Sequence, residues 1–198
     1  PAVQVRIVTP PTSIHGNPVD RPEHRSDLVR LDALLEFGGL YLDMDTISVR
    51  SIAKLRIHRC VLGEERTPGS GSHGLSNAVM MAERHSHFLT RWKRAYSTFN
   101  QAYWNTHSVV LPRLLAKQSA PGEVHTLPVE SFHWPSWDDQ GVSLLFEEDH
   151  TYPDAYVHHL WAGKTWGTHL SAITPNSIWT SDTTYNRLAR RFVARPSM

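Results

Sequence analysis

Apolar positions between residues 26 and 37 fall at helical spacing. At about 100° per residue, Leu28, Leu31, Leu34, Leu35 and Phe37 share one side, and Arg25, Asp32 and Glu36 the other. The spacing predicts a helix over 26–37, with Ser26 as its cap and Asp27 at the positive end of the dipole. Asp27 and Arg30 break the pattern, because both project into the apolar stripe. They are an i,i+3 pair and can touch. Charges on a core-facing stripe are costly unless they are paired or bind something. A capping Asp with an ion-paired Arg would satisfy this, and so would a polar ligand. Gly38-Gly39 then stops the helix. Residues 40–45 alternate as a strand does, with Leu40, Leu42 and Met44 on one side and Tyr41, Asp43 and Asp45 on the other.

Elsewhere the periods are shorter. Residues 2–8 and 124–127 read as strands, 47–49 as a short continuation, and 52–55 as an inward-packing turn. Residues 60–63 form a short buried strand. The polar, glycine-rich run 64–74 is expected as a loop. Residues 75–82 are strand-like and apolar apart from Asn77, which either pairs with neighbouring backbone or faces a ligand. Phe88, Leu89, Trp92, Ala95, Tyr96 and Phe99 recur at helical spacing, predicting a helix through about residue 100 with a core stripe. Further helices are expected near 104–115, where Pro112 marks a start or a kink, and at 182–193. Strands alternating with helices argue for an α/β sheet covered by helices on both faces.

The chain has 198 residues, 40% of them hydrophobic, which fits one globular domain over 1–198 with room for a core. The net charge of +1 gives no strong field toward nucleic acid or acidic lipid. No apolar run is long enough to span a membrane. The single cysteine, Cys60, excludes an internal disulfide.

The chemistry concentrates at Asp43 and Asp45. Two carboxylates two residues apart repel, and a cation would neutralise them; all-oxygen ligands suit Mg²⁺ or Mn²⁺ better than Zn²⁺. A solvated acidic pair is the plain alternative. Apolar strand, then Asp-x-Asp-x-Thr, also satisfies the rule for haloacid-dehalogenase-type phosphatases. Asp43 would then be the nucleophile and Asp45 the acid/base with Mg²⁺, and Asp138-Asp139 a candidate second acidic pair.

Ser26-Asp27, Arg30, Leu34-Leu35, Gly38-Gly39, Tyr41 and Asp43-x-Asp45 together resemble the DXD sugar-binding region of glycosyltransferase family 32, the α-1,4-glycosyltransferase kind. The segment 132–137 (Phe-His-Trp-Pro-Ser-Trp) and the late His159-Leu160-Trp161 fit the same family. The resemblance implies a GT-A-like, Rossmann-like mixed sheet flanked by helices. It implies a retaining hexosyltransferase using Mn²⁺ or Mg²⁺ and a UDP- or GDP-linked nucleotide-sugar donor. The acceptor would be a glycan, glycolipid or glycoprotein, and no nucleic acid is involved. On this reading Asp43 and Asp45 are catalytic, and Asp45, Asp43 and His159 hold the metal. Asp27, Arg30 and Asn77 bind the donor sugar, and Lys164 is a candidate to neutralise the leaving diphosphate. A structural histidine and a solvated lysine are the plain alternatives for His159 and Lys164. Relatives also carry an upstream strand–helix unit and often a membrane anchor, and work in the Golgi lumen. The first strand–helix unit is not found in these residues, so an N-terminally truncated chain is expected, with a sugar-nucleotide-binding but inactive relative as the rival reading.

Overall fold

A computed structural model describes residues 3–67 and 71–195. A small antiparallel ladder, β1 (Ser13–Ile14) with β2 (Asn17–Pro18), leads into helix α1 (Pro22–Phe37). The central sheet contains β3 (Gly39–Leu42), β5 (Cys60–Thr67), β6 (Gly71–Ala82) and β7 (His125–Leu127), in the order β3-β6-β5-β7. Only the β5–β7 pair is parallel. A second ladder joins β4 (Thr46–Ser48) to β8 (Val157–His159), antiparallel. The remaining helices are α2 (His87–Ala95), α3 (Leu111–Lys117), α4 (Val129–Phe132), α5 (Asp139–Phe146), α6 (Ala162–Thr165) and α7 (Thr184–Ala189). The chain is thus a mixed α/β protein with a mixed sheet flanked by helices.

Strand alternation divides the core. Cys60, Leu62, Met80 and Ala82 face α1 and α2, where they meet Leu28, Leu31, Leu34, Phe88, Leu89 and Trp92. Val61, Val79 and Met81 face the other way, onto Phe132, Val157 and Leu55, the last from the 3₁₀ turn Ala53–Ile57. Each fully buried large side chain contributes about 1.5–3 kcal/mol by leaving water.

Several expectations are corrected. Residues 3–8 form no strand: Val3, Val5 and Ile7 are exposed, with no ladder partner among the described residues. Residue 2 of that expected strand lies outside the described residues. Helix α1 starts one turn before Ser26, because Pro22 supplies a ready-made first-turn residue. Asp27 therefore sits inside the helix and caps nothing. Phe37 is 52% exposed and lies under the Arg6 guanidinium, 4.6 Å from its ring centroid, instead of joining the core. The alternation from residue 40 holds through Asp43 and then stops. Strand β3 ends at Leu42, and residues 43–45 make a turn with Met44 wholly in solvent. The expected loop 64–74 is mostly the far end of the β5–β6 hairpin, where pairing compensates for a polar sequence; its residues 68–70 lie outside the described residues. The α-helix after Ser86 ends at Ala95 and tightens into a 3₁₀ turn, Tyr96–Thr98, while Tyr96 and Phe99 stay in the core.

Candidate functional site

The glycine stop sets the geometry. Gly38 takes φ +66° and its N–H returns to the Leu34 carbonyl at 2.8 Å. A Cβ there would lie 2.7 Å from the Arg84 backbone nitrogen. The chain therefore turns tightly from α1 into β3, and residues 27 and 30 of the helix end up beside the end of the strand.

A register jump in the sheet prepares the other side. Pairing passes from Leu62 opposite Met80 to Gly63 opposite Ser76, so residues 77–79 of β6 leave the β5 ladder. The freed Asn77 carbonyl accepts from Arg30 Nη1 at 3.0 Å, and the Ala78 carbonyl accepts from the Asp43 N–H at 2.9 Å. Asn77 is buried, yet its side chain does not pair with neighbouring backbone. Its Oδ1 accepts from Arg30 Nη1 at 3.1 Å, and its Nδ2 donates to Asp27 Oδ1 at 2.7 Å. Arg30 also donates to Ser26 Oγ at 2.9 Å and lies 3.6 Å from Asp27 Oδ1 and 3.1 Å from Asp43 Oδ1. The Tyr41 hydroxyl donates to Asp43 Oδ1 at 2.6 Å, and its ring lies 4.7 Å below the guanidinium. Burial raises the Asp27 pKa despite the opposing charge of Arg30. Burial likewise pushes the Tyr41 hydroxyl up to about 12, keeping it a donor at neutral pH.

Asp45 is gripped from β8. Its carbonyl accepts from the Leu160 N–H at 2.7 Å, and its Oδ2 accepts from the Ala162 N–H at 2.8 Å. Trp161 turns the chain between these two donors with φ +56°, a left-handed conformation uncommon for a bulky residue. Its indole N–H is anchored on the Pro135 carbonyl at 2.9 Å. His159 Nε2 lies 3.2 Å from Asp45 Oδ2. Partial burial opposes ionisation of Asp45, but the His159 hydrogen bond and charge, with the Ala162 N–H, outweigh it and hold the carboxyl at about 2. His159 Nδ1 is buried without a hydrogen-bond partner among the described residues. His158 points away, as alternation requires, to the Trp134 carbonyl at 2.9 Å.

Asp43, Asp45 and His159 each offer a ligand atom, all within 4.8 Å of one another. They line a cleft of about 900 Å³ together with Asp27, Arg30, Asn77 and Lys164, so every sequence-chosen residue faces one space. Sequence reasoning gave no site role to Ser26, Tyr41 or Trp104, and took Trp137 only as part of the 132–137 segment of the family resemblance. Tyr41 carried a signal, since it shares the Asp43 face of the strand. Trp104 carried none, because the loop that brings it to the cleft has no period, whereas Trp137 came with the 132–137 segment and does line the cleft. The Asp138-Asp139 pair is not among the cleft-lining residues: Asp138 caps α5 and accepts from the Ser136 hydroxyl at 2.6 Å. The phosphatase alternative therefore does not find its candidate pair Asp138-Asp139 at the cleft.

Residues 17–62 match the family model "Glycosyltransferase sugar-binding region containing DXD motif". Glucan organizing enzyme 1 of Cryptococcus neoformans is 34% identical over 191 residues, 92% of this chain and 52% of that protein. Lactosylceramide 4-alpha-galactosyltransferase of Mus musculus is 29% identical over 163 residues, 74% of this chain and 43% of that protein. The human protein of the same name is 28% identical over 162 residues, 74% of this chain and 44% of that protein. The chain spans about half the length of the curated relatives it matches. On the matched block and these relatives, the chain resembles the DXD-containing glycosyltransferases of the family 32 kind.

Proposed function

We propose that the chain carries the donor and metal site of a metal-dependent, retaining glycosyltransferase with a GT-A-type fold. It would move a hexose from a UDP- or GDP-linked donor to a glycan, glycolipid or glycoprotein. The observation that carries this reading is one cleft in which the Asp27–Asn77–Arg30–Asp43 network runs directly into the Asp45–His159 pair. The names of the relatives, a glucan organizing enzyme and a galactosyltransferase for lactosylceramide, favour a glycan or glycolipid acceptor. Residence in the secretory pathway, in the Golgi lumen, goes with the family resemblance. Among the described residues, no helix is long and apolar enough to cross a membrane.

The donor set fits Mn²⁺ or Mg²⁺: two carboxylates and an imidazole converge, each offering a ligand atom within 4.8 Å of the others. Asp43, Asp45 and His159 would hold the ion, which when bound supplies positive charge against the departing diphosphate. The chain's own groups do the rest. Asp27 and Asn77 accept and donate hydrogen bonds to hexose hydroxyls, and Arg30 fixes both against Asp43. In the transfer, the bond from the anomeric carbon to the diphosphate oxygen breaks. A bond to the acceptor oxygen forms on the same face, and the acceptor's proton passes to the leaving phosphate oxygen. This front-face route needs no covalent intermediate on the protein.

The test is thermal stability of the purified chain during titration with Mn²⁺ and a panel of UDP- and GDP-hexoses. A shift that requires both metal and one nucleotide sugar, and is lost in Asp45→Asn, supports the reading and names the donor. No shift with any donor would favour an inactive relative.

A further inference from the structure

The cleft continues past the Asp27–Asn77 network to an aromatic rim for which donor binding gives no role. Helix α1 sets the spacing. His24, Asp27 and Arg30 recur at intervals of three and line one face, advancing about 4.5 Å along the axis per step. Arg30, at one end, touches Asp43. His24, at the other end, has its Nε2 3.3 Å from the Trp104 carbonyl and its ring 5.8 Å from the Trp104 indole. About 9 Å of helix axis therefore separates Arg30, which touches Asp43, from His24, which touches Trp104, a spacing on the order of one pyranose with its substituents.

A lone exposed aromatic is ordinary on a protein surface. Trp104 differs in two respects. It is 57% exposed, yet it lines the cleft together with Glu23 and Ser108. The turn that follows it is also well packed. The His107 carbonyl accepts from Trp92 Nε1 at 2.8 Å, and the His107 ring packs 5.1 Å from Tyr96 and 5.2 Å from Phe99. At Val109 the same turn presses on β6 so closely that a Cβ on Gly74 would come within 2.2 Å of its carbonyl oxygen. The arrangement is a partly bare indole at a polar rim of the cleft that also holds the candidate metal ligands. The apolar C–H face of a pyranose stacks on such a ring, while neighbouring polar groups take its hydroxyls.

We infer that Trp104, with Glu23 and Ser108, forms the acceptor subsite, and that the group received there is a sugar residue of a glycan or glycolipid and not a polypeptide hydroxyl. The inference rests on the transfer reading above. Saturation-transfer NMR of the chain with Mn²⁺ and donor present tests it, using lactose, maltotriose and mannotriose as probes and a Ser/Thr-rich peptide as control. At least one sugar should receive saturation from the wild-type chain. Trp104→Ala should weaken its binding at least tenfold and Trp104→Phe no more than about threefold, while the donor-dependent thermal shift stays unchanged in both variants. Equal sugar binding by Trp104→Ala overturns the subsite, as does a wild-type chain that binds the peptide or nothing at all. The donor shift separates the two readings: its absence from the wild type sinks the transfer reading, and its presence with unaltered sugar binding sinks only the subsite.

Discussion

Arg30 Nη1 stands 3.1 Å from Asp43 Oδ1, which ties the middle of α1 to the turn after β3 through a pair that is almost wholly buried on the arginine side. The same guanidinium reaches Ser26 Oγ and Asn77 Oδ1, so one cation organises three segments. Removing it leaves the Asp27 and Asp43 carboxylates without their counter-charge. Breaking a buried pair on one side costs about 3–5 kcal/mol. Arg30→Met should therefore lower Tm by roughly 6–20 °C on the usual scaling for this chain length. Calorimetry checks this, and a loss under 1 kcal/mol would mean the network is slack. Arg30→Lys should recover only part of the loss, since a single ammonium cannot reproduce the planar fork.

Tyr41 offers a gentler probe of the same carboxylate. Tyr41→Phe removes the 2.6 Å hydroxyl donor to Asp43 and keeps the ring under Arg30. Stability should fall by about 1–2 kcal/mol, the range for a hydrogen bond to a charged group. Mn²⁺ affinity should weaken about tenfold, because partners that orient a ligand carboxylate matter nearly as much as the ligand. Calorimetric titration with Mn²⁺ reads this directly, and unchanged affinity would remove Asp43 from the ligand set.

Much of this site was visible in the sequence because it is local. Ser26 to Asp45 is one helix, one stop and one strand, and the two charges in an apolar stripe announced that something opposed them. The place of Asn77 came only from the family resemblance, since its convergence depends on the β5–β6 register jump, which leaves no period in the sequence. The polar run 64–67 misled for a related reason: strand pairing with β6 satisfies its backbone whatever its side chains prefer. Residues 3–8 misled in the opposite way. Their alternation is correct for a strand, but among the described residues there is no neighbour for it to pair with.

Gly38 tests the turn. Its φ of +66° and the 2.7 Å approach of a Cβ to the Arg84 nitrogen combine two penalties. Gly38→Ala should destabilise by about 2 kcal/mol or more, above the roughly 1 kcal/mol of left-handed strain alone. Denaturant unfolding measures it. Gly39, at φ +102° with nothing within 4 Å of a Cβ, should show the strain without the clash and so a smaller loss.

Acid sensitivity should come from His133. The ring is fully buried against Phe132 and His159, and its Nδ1 lies 3.2 Å from the Glu64 carbonyl. Burial, then the charge of His159, push its pKa from 6.5 down to about 3. Below 6.5 the unfolded chain takes up a proton that the folded chain refuses. Stability is therefore complete above that pH and falls as pH drops toward 3, by up to about 1.4 kcal/mol per pH unit. His158, whose pKa burial also lowers, adds to the same slope. Urea midpoints measured from pH 7 to pH 4 should decline steadily in the wild type. In His133→Gln the slope should be shallower, although stability at pH 7 will be lower because the smaller side chain fills the site less well. A wild-type profile that is flat from pH 7 to pH 4 would mean that the ring accepts a proton in the folded state, which the packing around it does not allow.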